Sequence, residues 1–159
     1  MALTVPQRQT LFADIQADPA FAEIPNTPEG SAIIAAEYNL AADPAYIAWR
    51  SNVSTYEVRD VLVWSEYDSL SVSKQNAFEF LCSNGIVNAS RINVREGIAS
   101  IFAGPNSANT RAALIAIAKR TTSRIERLLA SGTGSDASPG TMTFEGILPW
   151  QEVHNSRNM

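Results

Sequence analysis

Helix-start signals recur along this chain at short intervals, and they restrict it to a succession of brief helices rather than strands. Thr4-Val-Pro6 predicts a helix running to about Ala17, with Leu11 and Ile15 one turn apart on its buried side and Asp18-Pro19 stopping it. Thr27-Pro28-Glu29 opens a second, with Thr27 as N-cap and Pro28 at the first helical position, where its missing amide costs nothing. Ile33, Ala36 and Leu40 then line one face. Asp43-Pro44 repeats the device ahead of Tyr46, Ile47 and Trp49. Ser54-Thr-Tyr-Glu57 has capping-box spacing and turns Val58, Val61 and Leu62 inward. Ser71 caps a helix carrying Val72, Phe78, Leu81 and Cys82, which Asn84-Gly85 ends; Asn93-Val-Arg-Glu96 opens another, ended by Gly104-Pro105.

The longest periodic stretch runs from about Ser107 to Ser131, where Leu114, Ile117, Ala118, Thr121, Ile125, Leu128 and Leu129 recur at steps of three and four. Read as one helix, it places Arg120, Arg124 and Arg127 on a stripe beside the apolar face. Gly132 to Gly140 is a polar, Gly/Ser-rich stretch too poor in apolar residues to order itself. Beyond it Thr141 to Leu148 reads as extended, and Pro149 starts a last helical turn through Trp150 and Val153. The expected fold is therefore all-α. It is a multi-helix bundle with one long helix in its C-terminal half (1–131), a flexible linker (132–140) and an extended C-terminal arm (141–159). Phe144, Ile147, Leu148 and Trp150 are too apolar to stay in water, so the arm is expected to be mobile in a free subunit and to order against a neighbouring one.

With 159 residues, 45% hydrophobic and 18% charged, the chain is the size of one ordinary domain and has a globular composition. The longest apolar run, Ala112 to Ala118, is far short of the ~18 residues of a membrane span. No membrane is expected among its partners. The net charge of −4 is unevenly spread: residues 1–89 carry four basic against eleven acidic side chains, residues 90–131 seven against two, and the remainder one against three. An acidic front half and a basic later segment can attract each other between neighbouring copies.

The chemistry-bearing residues are few. One histidine, His154, and one cysteine, Cys82, leave no material for a His/Cys metal cluster, and Cys-His or Ser-His-Asp catalysis would require improbable folding back. Gly132-Thr-Gly134-Ser135 lacks the lysine and following helix of a phosphate loop. Glu23 with Glu29, and Glu66 with Asp68, lie in polar turns. No enzyme activity, cofactor or metal is expected, and the candidate functional residues are interface residues: Arg120, Arg124, Arg127, Phe144, Ile147, Leu148 and Trp150.

The blocks Asn93-Val-Arg-Glu-Gly97 with Ile101-Phe-Ala-Gly104, Asn109-Thr-Arg-Ala-Ala113 with Lys119-Arg120, Gly132-Thr-Gly134 and Thr143-Phe-Glu-Gly146 resemble a family of small proteins of tailed bacteriophages and prophages. The resemblance covers most of the chain and supplies no catalytic residues. It implies a non-enzymatic virion structural protein, assembled in the host cytoplasm and similar to head-to-tail adaptor subunits that form homo-oligomeric rings between portal and tail. Non-specific contact with packaged DNA through the arginine stripe would accompany such a place. The alternatives it leaves are another tail- or capsid-associated protein, or an assembly factor that leaves the particle.

Overall fold

A computed structural model describes residues 2–159. Along the chain, α1 spans Val5–Ala17, α2 Pro19–Ala22 and α3 Pro28–Tyr38, followed by strand β1 at Ile47–Trp49 and β2 at Val53–Ser54. Then come α4 (Thr55–Asp60), α5 (Trp64–Asp68), α6 (Val72–Cys82), β3 (Ile86–Val87), α7 (Ile92–Ile101) and α8 (Ala108–Ile117). The rest comprises β4 (Lys119–Thr121), α9 (Arg124–Leu128), β5 (Ala130–Ser131), β6 (Thr141–Met142) and α10 (Trp150–Arg157). The strands form three two-stranded sheets, β1 with β4, β2 with β3, and β5 with β6. Val53 faces Val87 in the second and Ala130 faces Met142 in the third, both antiparallel.

The all-α expectation is thereby corrected: the fold is mixed, short helices with three small sheets. The single long helix over 107–131 is also corrected. Among the described residues no helix exceeds the 13 residues of α1, and the expected one is divided into α8, β4 and α9. The break lies in Lys119-Arg-Thr-Thr-Ser123. Its two threonines are β-branched and favour extended backbone, Thr122 donates its amide and hydroxyl to the Tyr46 carbonyl, and Ser123 restarts the helix in a capping box with Glu126. The apolar period survives the break because its two halves feed different cores.

Those cores belong to two compact units. A terminal unit contains the chain up to Ile47 together with Thr121–Met159, and a central unit contains Ala48–Arg120. In the terminal unit Leu11, Ile15, Ile34, Tyr38, Ile125, Leu129, Phe144, Leu148 and Val153 pack together, with α10 against α1 and α3. In the central unit Val53, Val58, Leu62, Phe78, Cys82, Phe102 and Leu114 do so, with the Phe78 and Phe102 rings edge to face at 5.5 Å.

Asn93, read as opening a helix, lies inside α7, whose N-cap is Arg91, and Thr4 forms a capping box with Gln7 that was not read; the start signals at Thr27, Ser54 and Ser71 and the left-handed Gly85 after α6 are observed as read. The face of α3 is not. Ile34, Ala35 and Tyr38 point inward while Ile33, Ala36 and Leu40 are exposed. Asp43-Pro44 leads into strand β1 rather than a helix.

Residues 132–140 are laced into the terminal unit, although they are poor in apolar side chains of their own. The Tyr46 hydroxyl donates to the carbonyls of Ser131 and Gly132, the Ile47 amide donates to Gly134 and the Gly140 amide to Ile47. A Cβ at Gly134 or Gly140 would fall inside the Tyr46 side chain, and Gly134 has φ +68° besides, so both positions require glycine.

Candidate functional site

The structure separates the three arginines read as one stripe. Arg120 lies in β4, half-buried, while Arg124 and Arg127 sit three residues apart on α9. Arg124 is placed by the Ser123 cap and enters a cluster built from α1, α2 and α3. Its Nη2 donates to Asp14 at 3.3 Å and to Asp18 at 3.1 Å, and its guanidinium lies 4.6 Å from the Tyr38 ring centre and 4.8 Å from that of Phe21. The Tyr38 hydroxyl donates to Asp14 in a short hydrogen bond. Burial, reinforced by the Asp14 carboxylate, raises the Tyr38 pKa well above its ordinary value. Arg127 donates to the Pro44 carbonyl at 3.1 Å.

A groove of about 650 Å³ opens beside this cluster, between Leu40, Asp43, Glu37 and the α9 side chains Arg124, Arg127 and Leu128. Its charges are mixed. Asp14 is already engaged by Tyr38 and Arg124, and Glu37 and Asp43 stand exposed. Among the residues lining it there is no cysteine, histidine, serine or threonine, so what it offers a partner is carboxylates and guanidiniums. No group of three or more His, Cys, Asp or Glu among the described residues is placed to hold a metal ion. Cys82 is buried in the central core, and burial pushes its thiol up to about 11.

The four apolar residues of the C-terminal arm divide into two pairs. Phe144 is 2% exposed and Leu148 1%, both within the terminal unit's core. Ile147 is 79% exposed and Trp150, edge-on to His154, 37%. Instead of standing free, the segment is fixed to its own unit. The Leu148 amide donates to the Asn39 side chain and its carbonyl accepts from it, at 2.7 and 3.0 Å, and the Gly146 amide donates to Glu126 at 2.9 Å. Glu152 of α10 receives Arg8 in a two-pronged ion pair at 2.9 and 3.2 Å. Thus one turn is stapled on both sides, with Ile147 at its exposed point.

Asp14 and Asp18 stand four residues apart, in the last turn of α1 and at its C-cap, a spacing that sets two carboxylates side by side but does not say that Arg124 meets them. Asn39 carried no signal: a lone asparagine after a helix reads as a cap, and its bonds span 109 residues. No family model, no curated protein and no solved structure matches this chain. Among the described residues no helix is long and apolar enough to cross a membrane.

Proposed function

We propose that this chain is a non-enzymatic structural protein of a tailed-phage particle, working through protein contacts with further copies of itself and with its neighbours in the head-to-tail connector. The observation that carries the contact role is the set of large apolar side chains held open to water on ordered elements. Tyr56 and Phe80, each 79% exposed, stand on α4 and α6 with Trp64, Val72 and Ile92 exposed on α5, α6 and α7. Aromatic side chains on a fixed backbone are the usual anchors of an interface, because they bring large area at little ordering cost. The virion setting rests on the sequence resemblance.

Mass-spectrometric inventory of purified particles, with the native mass of the protein alone and mixed with its portal protein, tests this reading. The expected result is a stoichiometric virion component that forms a defined oligomer alone or on the portal. Absence of the protein from purified particles overturns it.

A further inference from the structure

The central unit carries a second cavity of about 230 Å³, apolar and formed where α7, α8 and Trp49 leave a gap: Ile98 and Ala99 on one side, Leu114, Ile115 and Ala118 on the other. Alanines at 99 and 118 leave the space that larger side chains would fill. Two arginines flank it. Arg95 lies 4.6 Å over the Trp49 ring and donates to the carbonyls of Ala89 and Ser90, while Arg111 donates to the carbonyl of Phe102. Both guanidiniums are thus held by main chain and ring, with no carboxylate on either among the described residues. An apolar socket flanked by two arginines that no carboxylate meets among the described residues suits an apolar side chain carried by a unit of net negative charge.

The two units of the chain differ in net charge in that sense. The terminal unit bears ten acidic against four basic residues, a net −6, whereas the central unit bears six against eight, a net +2. In that acidic unit the turn Glu145-Gly-Ile-Leu-Pro-Trp150 presents Ile147 outward, and the Asn39 and Glu126 bonds described above hold its backbone still. A side chain displayed on a fixed turn loses little freedom on docking, which favours association.

We infer that the Trp49–Ala99–Ile115 socket of one copy receives Ile147, with Trp150 beside it, from the terminal unit of a second copy. Socket and knob are different surfaces, so the contact is heterologous and propagates head to tail until the rotation closes a ring. The inference rests on the reading above that the chain assembles with itself, and it names the surfaces that do so.

The test uses the full chain. Sedimentation equilibrium is measured for the wild type, for Ile147→Glu, whose site is exposed, and for Ala99→Trp, which fills the socket; thermal melts verify folding. Each variant is expected to weaken self-association at least tenfold while the melt of Ile147→Glu stays that of the wild type. A chain with Ala99→Cys mixed with one carrying Ile147→Cys is expected to give a mixed disulfide dimer on mild oxidation, in excess over either homodimer, with the buried Cys82 silent. Undiminished association of Ile147→Glu together with no mixed dimer overturns the socket and leaves assembly standing on other faces. A wild type that stays monomeric at every concentration also overturns it, whereas the virion reading falls only on the particle inventory.

Discussion

Arg124 does several jobs that a lysine cannot share. Its planar guanidinium covers two rings while one nitrogen meets two carboxylates, a geometry an ammonium on a flexible stem does not reproduce. The side chain is about one-third exposed, so solvent screening reduces its worth. Arg124→Ala is expected to destabilise the terminal unit by about 1–3 kcal/mol, with Arg124→Lys recovering little of it; urea titrations of the three proteins measure this. In the central unit Glu66 plays a comparable part, accepting the Thr110 amide at 2.7 Å and the Asn109 amide and side chain at the start of α8. The Thr110 amide is the main reason its carboxyl is held below the usual range. A carboxyl lowered on folding stabilises fully above its unfolded value, about 4.3, and loses that contribution as pH falls through the folded one. The difference in melting temperature between wild type and Glu66→Gln is therefore expected to be constant near neutrality and to close in acid. A difference that widened below pH 4 would contradict the assignment.

At the scale of elements, the sequence announced where helices begin far better than where they continue. A cap is local chemistry, one side chain on one amide, and Thr4, Thr27, Ser54 and Ser71 could be read without knowing the fold. Continuity is not local. The three-and-four spacing from Leu114 to Leu129 fits one helix as well as two, so the local signals of the break, two threonines and the Ser123–Glu126 capping box, were outweighed by it until the pairing of Lys119–Thr121 with β1 decided. The same holds for residues 132–140, whose order comes from Tyr46, more than eighty residues away. The arm follows suit: Phe144 and Leu148 are core, so Phe144→Ala is expected to cost about 3–5 kcal/mol, whereas Ile147→Ala should stay within about 0.5 kcal/mol of the wild type. Guanidinium unfolding distinguishes these values. Equal losses would mean that the turn is not stapled as described, and an inexpensive Phe144→Ala would return the segment to a free arm.

Over the whole molecule, the division into two units had no sequence mark, since no linker composition appears near Ile47 or Thr121. Capping chemistry and apolar period look alike on both sides of each boundary, and which core a helix joins is settled by contacts distant in sequence. That arrangement has a kinetic consequence. The central unit is contiguous, so its core forms from segments close along the chain, whereas α1 and α3 must meet α9 and α10 across the whole of Ala48–Arg120. Closing so long a loop costs entropy before any contact rewards it, and non-local pairing slows folding accordingly. In pulse-labelled refolding, amides of α6 and α8 are therefore expected to gain protection ahead of those of α3 and α10. Protection arriving first in α3 and α10 would show that the terminal segments meet before the intervening chain has folded, and that the order of assembly is set by something other than chain separation.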